Sequence, residues 1–206
     1  MSAASFTPLP PESFRRTPWK NGGGVTIDIA DAYREGAAPG SWEGMIWRFG
    51  RTSIVAPGPF SDLAGYERLQ LVIAGSGLVL ETQASLETPA SEIDLRSPFK
   101  PVRYDGGTPI ISRLENGPVE VVNLIADRAL CEIDLIVATT GQDGILGAGS
   151  HVIYAPENAV TGSCDAKPVR IEPGHALLIE ARIAVSLKAV TGLAVIATIA
   201  LPSPAA

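Results

Sequence analysis

Histidine and cysteine are scarce in this 206-residue chain, with two of each. His151 and His175 do not form an H-x-H pair. A histidine-based metal centre needs two or three imidazoles converging with a carboxylate. No metal and no other cofactor is therefore expected. Cys131 and Cys164 lie in "RALCEI" and "TGSCDA", and neither stretch resembles the elbow that presents a nucleophile. Both read as small buried apolar residues, and no catalytic residue is assigned.

Charge is sparse as well. Only 18% of residues are charged, the formal net charge is -6, and Lys and Arg never cluster in a run. Binding through phosphates calls for a basic surface, so nucleic acid is excluded as a partner. The longest apolar run, "GLAVIATIAL" at Gly192–Leu201, falls well short of the ~18 residues a membrane-spanning helix requires. No membrane partner is expected. The opening "MSAASFTPLPPESFRR" has no apolar stretch after a basic start, so it does not read as an export signal. The expected compartment is the cytoplasm.

Helical periodicity is the last absence. The nearest approach is "ASEIDLR" at Ala90–Arg96, which is short. In its place are 21 glycines and 17 prolines spread through a chain that is 46% hydrophobic. They punctuate brief β-rich runs: "VTIDI", "RLQLVI", "GLVLE", "VEVVNLI", "EIDLIV", "HVIYA", "HALLIE" and "LAVIATIA". This pattern predicts an all-β sandwich or barrel. "VIAGSGLVLE" (Val72–Glu81) also echoes "RIEPGHALLIE" (Arg170–Glu180): a β-run, a glycine turn and a β-run ending in Glu. The echo predicts two related barrels in tandem, residues 1–127 and 128–206, packed as one compact unit. The first would carry a ligand pocket and the second would be a structural partner.

Three blocks then occur in order: "WKNGGGVTIDI", "GPFSDLAGYER" and "GPVEVVN". Together they resemble the HutD/Ves family of the cupin superfamily. The resemblance covers Trp19 to Ile125. It implies a two-barrel cupin (a bicupin) associated with bacterial histidine utilisation. It also implies a protein that binds a small pathway metabolite and tunes operon output rather than catalysing a step. The chain departs from the family pattern at Ser53 and Val121, where two acidic positions are lost.

The residues suggest the chemistry of such a pocket. In "RLQLVI" the alternation places Arg68, Gln70 and Val72 on one face and Leu69, Leu71 and Ile73 on the other. Asn123 interrupts the apolar run "VEVVNLI", and a buried amide must find partners. Arg forks suit carboxylates, while Lys20 and Asn21 add donors. Trp19 and Phe60 can form an apolar wall or stack on a flat ring. The glycines after Asn21 would let the backbone bend and deliver Lys20 and Asn21 to the pocket. Trp19, Lys20, Asn21, Phe60, Arg68 and Asn123 are thus the candidate ligand-binding residues. The expected ligand is a small carboxylate-bearing metabolite such as urocanate. The alternative is a metal-independent isomerase or hydrolase acting on a similar ligand, and homodimerisation through an edge strand is a further expectation.

Overall fold

The computed structural model describes residues 4–19, 24–83 and 89–201, and every quoted β-run lies inside a strand to within one residue at its ends. Among the described residues the only helical element is a single 3-10 turn, Pro11–Ser13. Even the stretch nearest to a helical period is extended, at Glu92–Leu95.

The first strand, β1 (Ala4–Leu9), pairs antiparallel with a strand near the other end of the chain, Ala176–Ala181. The chain accordingly divides into one unit of Arg15–Ala129 and another that joins Leu130 onward to the segment ending at Phe14. The N-terminal strand thus groups with the C-terminal half. Pairing is the reason: Ala4 and Phe6 alternate onto the apolar core of that half.

The Arg15–Ala129 unit contains β2 (Arg15–Pro18), β3 (Gly24–Tyr33), β4 (Met45–Ile54), β5 (Gly58–Pro59), β6 (Tyr66–Ala74), β7 (Leu78–Thr82), β8 (Glu92–Leu95), β9 (Val102–Asp105), β10 (Ile110–Leu114) and β11 (Val119–Asp127). They form one sheet in the order β2-β3-β4-β11-β6-β9 and a second in the order β5-β10-β7-β8. The other unit adds β12 (Glu132–Ala138), β13 (Gly144–Leu146), β14 (Gly149–Tyr154), β15 (Val160–Cys164), β16 (Lys167–Ile171), β17 (Ala176–Ala181), β18 (Val185–Thr191) and β19 (Ala194–Ala200). Its sheets run β1-β17-β14-β19-β12 and β13-β18-β15-β16. Each unit is therefore a pair of sheets around an apolar core, not one sheet closed on itself.

The strand order repeats. The series β4-β11-β6-β9 with β5-β10-β7-β8 recurs as β12-β19-β14-β17 with β13-β18-β15-β16. The echo in the sequence nevertheless matches the wrong strands. Val72–Glu81 spans β6 and β7, whose counterparts are β14 and β15, whereas Arg170–Glu180 spans β16 and β17. The two stretches share a local demand. Each carries the chain from one sheet to the other through glycines of positive φ, Gly75 and Gly77 in the first and Gly174 in the second.

In the Arg15–Ala129 unit the core lies between the two sheets. Ile54, Val72, Val119 and Val121 from the larger sheet meet Leu78, Leu80, Leu95 and Ile110 from the smaller. Alternation places Arg68 and Gln70 on the same face of β6 as Val72. The inward face thus changes character along its strands, apolar at one end and polar at the other. Leu69, Leu71 and Ile73 are buried on the opposite face.

Candidate ligand site

The polar end of that face opens into a cavity of about 490 Å³. Its floor is set by strand register. Across β4, β11 and β6, Arg48 stands beside Ile125 and Ile125 beside Arg68; one step along, Gly50, Asn123 and Gln70 are neighbours. Thr26 and Asp28 of β3, with Thr17, Pro18 and Trp19 at the end of β2, continue the wall on one side. Pro59 at the end of β5, Phe60 and Ser61 just after it, Trp42 and Gly40 before β4 and Ile54 at its end supply the rest. Gly50 is required here: a Cβ would lie 2.6 Å from the Ile27 carbonyl oxygen and 3.3 Å from the Asp28 Cα. That close approach accompanies a bulge in β3 between Asp28 and Ala30. Gly24, the last glycine of the opening motif, is equally forced, since a Cβ would meet the Ser53 carbonyl oxygen at 2.4 Å and the Trp19 ring at 3.1 Å.

Two groups of charge face the cavity. In the first, Asp28 is buried and its Oδ2 accepts from Arg15 Nε at 3.1 Å and Nη2 at 2.7 Å. Arg15 also donates to Asp31. Arg48 Nε lies 3.5 Å from Asp28 Oδ1, and its guanidinium stacks 3.8 Å from the centre of the Trp42 ring. Two guanidiniums thus answer two carboxylates. Burial pulls the Arg48 pKa down, opposed by the charge of Asp28. For Arg15, burial is outweighed by the hydrogen bonds to Asp31 and Asp28, which raise its pKa.

Arg68 is the second group. It is 5% exposed, and among the described residues no carboxylate lies within salt-bridge distance of it. Its Nη2 donates to the Ser61 carbonyl oxygen, its Nε has no hydrogen-bond partner among the described residues, and the guanidinium lies 5.8 Å from the Phe60 ring and 6.0 Å from the Tyr104 ring. Tyr104 donates to Gln70 Oε1 at 2.6 Å. Burial pushes the Tyr104 phenol up to about 12, with Arg68 opposing, so the ring stays neutral.

Between the two groups runs a chain of weaker polar contacts. Trp19 Nε1 donates to Thr26 Oγ1 at 2.9 Å, and Asn123 Nδ2 donates to Thr52 Oγ1 at 3.4 Å. The two threonine hydroxyls lie 3.3 Å apart, so one donates to the other. Among the described residues one hydroxyl hydrogen is left uncommitted at the cavity wall. The edge-to-face contact of Trp19 with Phe60, at 6.4 Å and 82°, fixes both rings at the rim.

Of the six candidates from the sequence, Trp19, Phe60, Arg68 and Asn123 line this one cavity. Lys20 and Asn21 lie outside the described residues. Sequence reasoning passed over Asp28, Thr26, Thr52 and Trp42 as site residues. The signal for the first two was the "VTIDI" alternation, which sets Thr26 and Asp28 on the face opposite Val25, Ile27 and Ile29. Two other arginines of this unit lie away from the cavity: Arg103 pairs with Glu67, and Arg113 with Glu81, Glu92 and Glu115. Ser53 and Val121, where acidic positions are lost, are not among the lining residues. Neither histidine belongs to this unit. His151 is buried on β14, and His175 Nδ1 lies 3.1 Å from the Pro173 carbonyl oxygen in the turn before β17. Among the described residues no group of three or more His, Cys, Asp or Glu is placed to hold a metal ion, and no helix is long and apolar enough to cross a membrane.

Paired sheets in a repeated order, with a polar cavity inside one pair, define a cupin-like protein. The solved cupin 2 conserved barrel domain protein from Leptotrichia buccalis has the same kind of fold, with a TM-score of 0.51 over 87% of this chain and 89% of that one at 11% identity. More narrowly, the chain belongs to the HutD family, which it matches over residues 11–197. The conserved protein of unknown function PA5104 from Pseudomonas aeruginosa PAO1 superposes with a TM-score of 0.81 over 97% of this chain and 100% of that one, at 23% identity. HutD from Pseudomonas fluorescens SBW25, solved in a formate condition, gives 0.76 over the same shares at 24% identity. A Pseudomonas putida protein, an uncharacterized 21.2 kDa protein in the region 3' of hutC, is 32% identical over 114 residues. That match spans 55% of this chain and about half, 54%, of the relative's length. The family is linked to the histidine utilisation locus.

Proposed function

We propose that the cavity binds a small carboxylate-bearing metabolite and that the protein serves histidine utilisation as a metal-free binding protein in the cytoplasm, with a regulatory role. One observation carries the ligand chemistry: Arg68 is a buried guanidinium with an unpartnered Nε and no carboxylate beside it among the described residues. An uncompensated buried charge is costly, and a carboxylate in the cavity would offset that cost. Trp19 and Phe60 at the rim suit a flat, conjugated carboxylate such as urocanate. The family's link to the histidine locus supports the same choice. The repeated strand order supports reading the chain as a bicupin in which one unit carries the site.

The test is a melting curve with and without urocanate. A ligand present at a hundred times its Kd stabilises the native state by about 2.7 kcal/mol, which raises Tm by several degrees. Arg68→Ala should fold normally and lose that rise. An Arg68→Ala protein that keeps the full rise overturns the proposal.

A further inference from the structure

The cavity has an acceptor as well as a cation. Asp28 lines it, is 5% exposed, and gives its Oδ2 to Arg15, while its Oδ1 has no hydrogen-bond partner among the described residues. Arg48 stands 3.5 Å from that oxygen without donating to it, because its guanidinium is turned against the Trp42 ring. A buried acceptor is ordinarily satisfied by a donor. Arg68 and the spare threonine hydroxyl hydrogen offer donors elsewhere on the wall. The two chemistries sit on different strands, Asp28 on β3 and Arg68 on β6, with β4 and β11 between them. A ligand that satisfies both must therefore carry an acceptor at one end and a donor at the other.

Resting on the carboxylate reading above, we infer that Asp28 is the specificity-determining residue of the site: it reads an N–H or O–H group on the ligand, so a carboxylate lacking such a donor at its far end is rejected. The donor is neutral. Arg15 and Arg48 already answer the charges of Asp28 and Asp31, which leaves Arg68 as the one described cation at the cavity without a carboxylate among the described residues. A monoanion then brings the described groups to balance. A cationic donor would restore the excess charge that the carboxylate removed.

Matched pairs of probes test this, because pyrrole and furan carboxylates share shape and charge and differ in one ring N–H. The probes are pyrrole-3-carboxylate against 3-furoate, and their longer acrylates, 3-(pyrrol-3-yl)acrylate against 3-(furan-3-yl)acrylate, whose ring N–H points away from the carboxylate, titrated calorimetrically into the full chain. Failing to pair a buried polar group costs a ligand heavily. At least one pyrrole compound should bind about tenfold or more tightly than its furan partner. In Asp28→Asn the amide oxygen would stay with the donors of Arg15 and turn the NH2 into the cavity, so the ratio should fall to one or invert. Equal binding of both members of each pair to the wild type overturns the inference and leaves the carboxylate reading standing, provided that Arg68→Ala abolishes both. Binding that survives Arg68→Ala, or no binding of any probe at millimolar concentration, overturns both readings. The wild-type ratio decides the matter even where Asp28→Asn fails to fold.

Discussion

The two units carry the same eight-strand order and use it differently. Counted from the first inward residue, Val119, Val121 and Asn123 of β11 match Ala194, Ile196 and Thr198 of β19. Their neighbours follow: Val72 and Gln70 on β6 match Ile153 and His151 on β14. In the C-terminal unit the polar pair is closed. The Gly147 carbonyl only accepts, so His151 Nε2 donates to it at 2.9 Å and Nδ1 accepts from the Thr198 hydroxyl at 3.0 Å. In the other unit Gln70 Nε2 is unpartnered and Asn123 makes one long bond, and the polar region continues outward to Arg68. The position matching Arg68 is Gly149, where a Cβ would meet the Ile199 carbonyl oxygen at 2.4 Å. One scaffold gives a closed polar pair in one unit and, in the other, a cavity where several described polar groups have no partner.

The comparison can be broken most severely in the closed unit. Ile153 is 2% exposed inside its apolar cluster. Ile153→Ala should cost about 2–5 kcal/mol in urea unfolding while leaving the urocanate response of the folded protein unchanged. A loss of ligand response at full occupancy of the native state would show that the two units are not functionally separate.

His151→Ala should cost less, about 1–3 kcal/mol, because it strands the Gly147 carbonyl and the Thr198 hydroxyl. It should also change the pH profile. Burial holds the His151 imidazole below its ordinary value. The unfolded chain therefore takes up a proton near pH 6.5 that the folded chain refuses. Stability from this residue is complete above about pH 6.5 and falls as the pH is lowered through it. Tm measured between pH 7.5 and 5 should drop in the wild type and flatten in the variant. An equal slope in both proteins would assign the acid sensitivity elsewhere.

The smallest stability effect belongs to the open unit. Arg68→Met replaces an unpaired buried cation with an apolar side chain of similar length, so the ligand-free protein should stay within about 1 kcal/mol of the wild type or gain. A loss comparable to that of Ile153→Ala would make Arg68 a structural residue.

These asymmetries were unequally legible in the sequence. The strands were readable because "RLQLVI" and "VEVVNLI" alternate and end at turn residues. Arg68 and Asn123 stood out as polar breaks in apolar strands, and the rings of Trp19 and Phe60 came with the family blocks. Asp28 was hidden because an acid within "VTIDI" also reads as the solvent side of an ordinary strand. Its burial depends on Arg15, thirteen positions earlier, and on the β2–β3 register. The duplication was inferred from a glycine corner, and corners recur wherever a chain changes sheets. Only strand order fixes the true correspondence.

The pairing of β1 with β17 has a consequence for how the chain is made. Ser5 and Glu180 lie 175 positions apart and meet side chain to side chain at 3.3 Å. On the ribosome Ser5 emerges 175 positions before Glu180, so β1 waits for all of the intervening chain before its partner exists. Arg15–Ala129 can complete its own sheets during that interval, since all its strand pairings are internal. The C-terminal unit cannot. Until β1 returns, β17 keeps one row of backbone groups open, a template on which another nascent chain can pair.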